Sequence, residues 1–207
     1  MNLMLKQTFM SLVGNYFDNI QLSEKLWLEF EKHYSQKSRH YHTLGHLENL
    51  YIQLEKVKDQ IVNQDVLLFS LYYHDVIYKT TSKNNERKSA ELATDRLKDI
   101  NYPPDKIAQV NETILATASH SISTNNDINL FTDADLAILG QDGTTYQNYC
   151  HQIRKEFSIY PDFVYKPGRK KVLQHFLNME RIYKTDYFFH LYESAALENI
   201  QKELETL

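Results

Sequence analysis

A histidine and an aspartate stand side by side, His74-Asp75, in an unusually apolar stretch, Asp65-Val66-Leu67-Leu68-Phe69-Ser70-Leu71-Tyr72-Tyr73-His74-Asp75-Val76-Ile77-Tyr78. A carboxylate or an imidazole buried among such neighbours without a partner is costly. The remedies are a hydrogen-bonded pair, a counter-charge or a metal ion. Two more groups sit in similar settings: His46 in Leu44-Gly45-His46-Leu47, and Asp135 in Asp133-Ala134-Asp135-Leu136-Ala137. On one helix, adjacent residues lie about 100° apart, so His74 and Asp75 can lean toward one point. His46 from an earlier helix and Asp135 from a later one could complete a ring, as bundle cores build metal sites from facing helices. Two imidazoles and two carboxylates suit a divalent first-row ion with open positions for water. Manganese, iron, cobalt, nickel or zinc fits that donor set, and magnesium fits it less well because of the histidines. The competing reading of the dipeptide alone is a core pair in which Asp75 fixes the imidazole tautomer.

Other groups have weaker individual claims. Glu86 follows Asn84-Asn85 at a helix start, either as a favourable first-turn carboxylate or as a group orienting water beside an ion;. Arg39, Lys79, Arg87 and Arg169 are candidate phosphate-binding cations, although each alone reads more readily as a solvated charge;. Arg169 follows Pro167-Gly168 at an expected helix N-terminus, where backbone N–H groups also favour anions;. Asp133 reads as an N-terminal helix carboxylate or a group behind the ligands. Cys150 lies on an apolar helix face and reads as core. His33, His40, His151, His175 and His190 belong to no comparable constellation.

The elements that must position these groups are helices. Apolar residues at Leu5, Phe9, Leu12, Val13 and Tyr16 predict a helix over residues 3–17, and Ser23 is the expected cap of the next;. Thr43 caps a third, carrying His46. The central helix runs from Asn63 or Asp65 to about Tyr78. Pro103-Pro104-Asp105 opens a helix that ends near His120;. A polar loop over 121–129 precedes a short helix from Phe131 to Leu139, stopped by Gly140;. Thr144 or Thr145 caps an amphipathic helix, Pro167 opens another, and Thr185 caps the last. No segment alternates as a strand would. The expectation is an all-α protein of about nine or ten helices.

The ordered set His46 … His74-Asp75 … Asp135 resembles the signature of the HD superfamily of metal-dependent phosphohydrolases. The likeness extends through Tyr41-His42-Thr43-Leu44-Gly45-His46, Tyr73-His74-Asp75-Val76-Ile77-Tyr78, Asn85-Glu86-Arg87-Lys88-Ser89-Ala90, Ala116-Thr117-Ala118-Ser119-His120 and Asp133-Ala134-Asp135-Leu136-Ala137-Ile138-Leu139-Gly140. Gly168-Arg169 and Arg181-Ile182-Tyr183 resemble one branch of it, the predicted HD phosphohydrolases. The resemblance covers residues 39–199. It implies a single HD-type helical bundle, with its core over about residues 22–143 and a C-terminal helical extension over 144–207 packed on it. It implies His46, His74, Asp75 and Asp135 as metal ligands. The implied activity is hydrolysis of a phosphate ester or anhydride, in a small nucleotide-like substrate, by metal-activated water.

The similar Tyr-His-Asn-x-x-His segment of cyclic-nucleotide phosphodiesterases uses its first histidine as a general acid, which implies that role for His42. Thr43 stands where those enzymes have asparagine, which loosens any tie to cyclic nucleotides. A helix cap or a phosphate contact is the alternative for His42. Relatives with two metals hold the second through histidines between the His-Asp pair and the last aspartate. His120 is the single histidine in that interval. It reads as a phosphate contact ahead of a second-metal ligand or a cation at a helix C-terminus. The shortage of histidines also argues against the related di-iron oxygenases.

Composition sets the outer bounds. Only 5 Gly and 4 Pro in 207 residues favour long helices, and 15 Tyr with 10 Phe supply large packing surfaces;. A net charge of −4 offers no broad basic field for non-specific nucleic-acid binding;. One cysteine precludes an internal disulfide and fits a reducing compartment;. The N-terminus does not read as a signal peptide and no run is long enough to span a membrane, so the expected setting is the cytosol. Two other classes of function compete: a non-catalytic sensor that binds metal and nucleotide, and a helical interaction protein whose His-Asp pair is only core. The amphipathic C-terminal helices could form a homodimer face.

Overall fold

Few glycines and long apolar stretches at helical spacing leave helix-on-helix packing as the way to bury a core. The computed structural model describes residues 2–207, and among them are ten α-helices, two 3₁₀ turns and no strand. The chain divides into two compact units, the first running to Ser121 and the second from Ile122 to Leu207. No helix among the described residues is long and apolar enough to cross a membrane.

The first unit contains α1 (Asn2–Gly14), α2 (Ile20–Tyr34), α3 (Leu44–Lys56), α4 (Gln64–Tyr73), α5 (Asn85–Asp99) and α6 (Pro104–Ala116), with a 3₁₀ turn at Lys58–Gln60. Its axis is α4, which is apolar all round and packs against α3, α5 and α6. Phe9 of α1 meets Phe30 of α2 and Tyr72 of α4 edge-on, with ring centroids 4.9 and 5.0 Å apart. Tyr102 meets Tyr16 and Phe69 in the same way, at 4.7 Å each;. Two of the buried tyrosine hydroxyls here find backbone acceptors. Tyr72 donates to the Leu5 carbonyl at 2.8 Å, and Tyr34 to the Tyr72 carbonyl at 3.1 Å;.

Helix ends decide where the chemistry-bearing residues fall. Thr43 caps α3 as expected, accepting from the Gly45 N–H at 3.3 Å;. Asn19 caps α2 in place of Ser23, which lies inside the helix and donates its hydroxyl back to the Asn19 carbonyl. The largest difference is at α4. It stops at Tyr73 rather than near Tyr78, so His74 and Asp75 stand at its exit and not within it. Helix α6 stops at Ala116, and the chain closes behind it with His120 N–H on the Ala116 carbonyl at 2.9 Å. His120 is left-handed there, at φ 51°, in a helix closure more often made by glycine;.

The second unit contains α7 (Asn126–Asp135), a 3₁₀ turn (Leu136–Gly140), α8 (Gly143–Glu156), α9 (Asp162–Leu177) and α10 (Asp186–Thr206). Helix α7 begins at Asn126 instead of Phe131, because Asn125 caps it by accepting from the Asp127 N–H. Asp142, not Thr144 or Thr145, caps α8, accepting from both of their N–H groups at 3.0 and 3.1 Å. Pro167 lies inside α9 rather than at its start, and Pro161 holds the N-cap position. Thr185 is the N-cap residue of α10, as expected.

The 3₁₀ turn is clasped by α10. Asn199 donates to the Leu139 and Gln141 carbonyls at 2.9 and 2.8 Å, and the Tyr183 hydroxyl donates to the Leu136 carbonyl at 2.9 Å. A Cβ at Gly140 would lie 2.7 Å from the Tyr192 carbonyl oxygen and 2.9 Å from its Cα. Both are backbone atoms that a rotamer change cannot move. Gly140→Ala is therefore expected to cost about 1–3 kcal/mol through overpacking. Urea unfolding should show this as a lower midpoint with an unchanged slope.

Candidate metal centre

The site grows from two chain segments of the first unit. One is the approach to α3, Arg39 to His46; the other is the exit from α4, His74 to Tyr78. The Thr43 cap starts α3 two residues ahead of Gly45, and His46 follows in the first turn, 5% exposed. His74 continues the α4 hydrogen bonding by one residue, its N–H on the Ser70 carbonyl at 2.8 Å. Its ring turns back so that Nδ1 lies 3.0 Å from the Leu71 carbonyl. A carbonyl can only accept, so Nδ1 carries the proton and the lone pair of the neutral ring is on Nε2. That is the arrangement of a histidine prepared to bind metal through Nε2.

Three donor atoms converge. His46 Nε2 and His74 Nε2 are 3.1 Å apart, and they lie 3.9 and 3.3 Å from Asp75 Oδ2. A triangle with these sides has a circumscribed radius of about 2.0 Å, which matches the ~2.0–2.2 Å reach of imidazole nitrogen and carboxylate oxygen to zinc;. Among the described residues, these three form the group of histidine and carboxylate side chains that could hold a metal ion. Burial works against a charge on Asp75. When protonated, the imidazoles of His74, His42 and His46 outweigh it and hold the carboxyl well below its usual range;.

His42 is the third imidazole on the same oxygen, with Nε2 3.9 Å from Asp75 Oδ2. It precedes α3 rather than occupying the helix, so the loop and not a helical turn brings it beside His46. Its ring stacks on Tyr78 at 4.1 Å, and Tyr41 lies edge-on at 4.9 Å. Tyr41 also lies 5.0 Å from the His46 ring.

The segment after α4 has no regular structure, and side chains satisfy its backbone. Arg39 donates to the Asp75 carbonyl at 2.8 Å and the Val76 carbonyl at 2.9 Å. Ser89 Oγ accepts from the Ile77 N–H at 3.1 Å. Asn85 accepts from the Lys79 N–H at 3.2 Å and donates to its carbonyl at 3.0 Å. Sequence reasoning missed Tyr41, Tyr78, Asn85 and Ser89 as parts of the site. The spacing of Asn85 and Ser89, one turn apart on α5, is the signal that could have found the latter two.

Of the remaining expected site residues, Arg39 is buried and its guanidinium serves backbone carbonyls, so it is not an exposed phosphate-binding cation. Lys79 is exposed, and Glu86 is half-buried in the first turn of α5. Arg87 is exposed and paired with Glu91. His120 closes α6 as described above. Asp135 ends α7 in the second unit and is half-buried. Asp133 is fully buried near the same helix end. It accepts from the Lys184 and Thr185 N–H groups and the Thr185 hydroxyl at 2.9, 2.7 and 2.7 Å, so it serves the start of α10 and not of its own helix. The Lys184 ammonium lies 3.2 Å from Asp133. Burial pushes its pKa down, and Asp133 and Asp135 only partly restore it.

Arg169 is also buried, midway along α9 rather than at a helix N-terminus. It donates to both Glu203 oxygens at 2.7 and 2.9 Å and to the Tyr149 hydroxyl at 3.3 Å. Glu203 also accepts from the Tyr146 hydroxyl and the Cys150 thiol. Cys150 is half-buried rather than in the core, and burial and then the Glu203 charge push its thiol up to about 12;.

No model of a known protein family matches the chain, and neither does a curated protein or a solved structure. The donor triangle itself is directly testable. Chelator-treated protein titrated with zinc or manganese should take up about one ion per chain, with affinity falling as pH is lowered because protons compete for the ligands. His46→Ala should abolish uptake in calorimetry. Alkylation of native Cys150 at pH 8 should run more than about a hundredfold slower than that of a free cysteine, and denaturant should restore it.

Proposed function

We propose that this protein is a metal-dependent phosphohydrolase of the HD type. The observation that carries the reading is the convergence of His46 Nε2, His74 Nε2 and Asp75 Oδ2 at coordination spacing, in the order that the family signature requires. Asp135 is the proposed fourth ligand. When bound, a divalent ion supplies a Lewis acid for a phosphoryl oxygen and lowers the pKa of water. The protein's own part is orientation and proton transfer. The Leu71 carbonyl fixes the His74 tautomer, and the lowered pKa of Asp75 keeps it anionic.

His42 is the proposed general acid, giving its Nε2 proton to the leaving oxygen; its stacking on Tyr78 and its contact with Asp75 support that role;. His120, Lys79 and Glu86 are the proposed substrate-side groups, and the substrate is a small phosphorylated, nucleotide-like molecule. A cytosolic setting belongs to the same proposal.

The test is turnover of phosphomonoesters, phosphodiesters and nucleoside triphosphates by metal-stripped protein reconstituted with each divalent ion. Hydrolysis that disappears in His74→Ala and Asp75→Ala is the expected result. Asp135→Ala should lower metal affinity, and His42→Ala should lower kcat by roughly 10²–10⁴ while metal uptake persists. Folded, metal-loaded protein without turnover across the panel would overturn the hydrolase reading in favour of a sensor.

A further inference from the structure

We propose that Arg39 is a positioning residue of the metal centre, a single buried guanidinium that sets the placement of the two ligand-bearing segments against each other. The inference rests on the reading of His46, His74 and Asp75 as a metal site. Arg39 Nη1 donates to the carbonyl of His42, on the approach to α3, at 3.1 Å and to the carbonyl of Asp75, at the exit of α4, at 2.8 Å. Nη2 donates to the Val76 carbonyl at 2.9 Å. The two nitrogens belong to one rigid plane, so the carbonyls they hold cannot shift independently. The same guanidinium lies over the Tyr34 ring at 4.8 Å and the Tyr78 ring at 5.5 Å. Tyr78 in turn stacks on His42, so the clamp extends to the orientation of that imidazole.

A second feature sets Arg39 apart from a solvated charge. Its Nε–H is buried with no acceptor. Such a donor persists where the other bonds of the group outweigh its loss. Charge and clamp also predict opposite signs. A fixed cation beside a cation site repels the ion, so charge alone would make removal of Arg39 tighten metal binding. A clamp makes removal weaken it, as loss of groups that orient ligands does.

The experiment compares full-length wild type, Arg39→Lys, Arg39→Met and Arg96→Met. Arg96 pairs with Glu29 at 2.7 Å within the same unit and serves as a control for general destabilisation. Each chelator-treated protein is titrated calorimetrically with manganese and with zinc, at a temperature where circular dichroism shows it folded. Arg39→Lys should raise the metal Kd about tenfold and Arg39→Met about a hundredfold, and Arg96→Met should lower Tm with Kd unchanged. Arg39→Lys decides the matter if Arg39→Met does not fold, since lysine keeps the charge and the stem without the planar fork. A wild-type or tighter Kd in a folded Arg39 variant would overturn the inference, and so would an equal loss in Arg96→Met. Wild-type protein that binds neither ion would instead overturn the metal-site reading on which the inference stands.

Discussion

A helix that ends inside a protein leaves carbonyls and N–H groups that water cannot reach, and each needs a partner. At the exit of α4 that requirement governs much of the first unit. The chain leaves helical geometry after His74 while still among apolar neighbours, and the following residues are supplied one by one. Arg39 takes the Asp75 and Val76 carbonyls, Ser89 takes the Ile77 N–H, and Asn85 takes both backbone groups of Lys79. These partners come from the approach to α3 and from α5. Satisfying the backbone therefore fixes the exit against two other elements, and His74 and Asp75 are held from both sides.

The electrostatics of the centre follow from the same crowding. Asp75 Oδ2 has His42, His46 and His74 around it at 3.9, 3.9 and 3.3 Å. A carboxylate in this position is stabilised as an anion in spite of burial, because protonated imidazoles beside it outweigh the loss of water;. The Leu71 carbonyl settles the protonation of His74 from the other end of the ring. The group is thus arranged by hydrogen bonds that lie behind it, on backbone atoms that tolerate no substitution.

How much of this could be read from the residues depended on whether the controlling contact was local. The pairing of His46 with His74-Asp75 was legible because titratable groups in apolar settings demand an explanation. Thr43 was legible as a cap because the helix it starts lies next to it. The end of α4 was not, since Val76, Ile77 and Tyr78 continue the apolar pattern and the stop is imposed by side chains distant in sequence. Arg39 and Arg169 were read outward because arginine is seldom buried. Their burial depends on acceptors that only the fold brings near, the carbonyls at the α4 exit and the Glu203 carboxylate on α10. Ser23 and Asn19 are equally good caps, and nothing local chooses between them.

Asp133 carries a consequence for the order in which the molecule assembles. Its carboxylate is satisfied by Lys184 and Thr185, 51 and 52 positions further along the chain. Closing a loop of that size must precede the reward for the contact, and long-range contacts of this kind form slowly. Until the start of α10 docks, the end of α7 holds a carboxylate without its final partners. The first unit's donor triangle draws on nearer partners: its ligands precede α5, and the α4 exit is held by Arg39 and by Asn85 and Ser89 of α5. The end of α7, which bears Asp135, is braced through Asp133 only once Lys184 and Thr185 are in place.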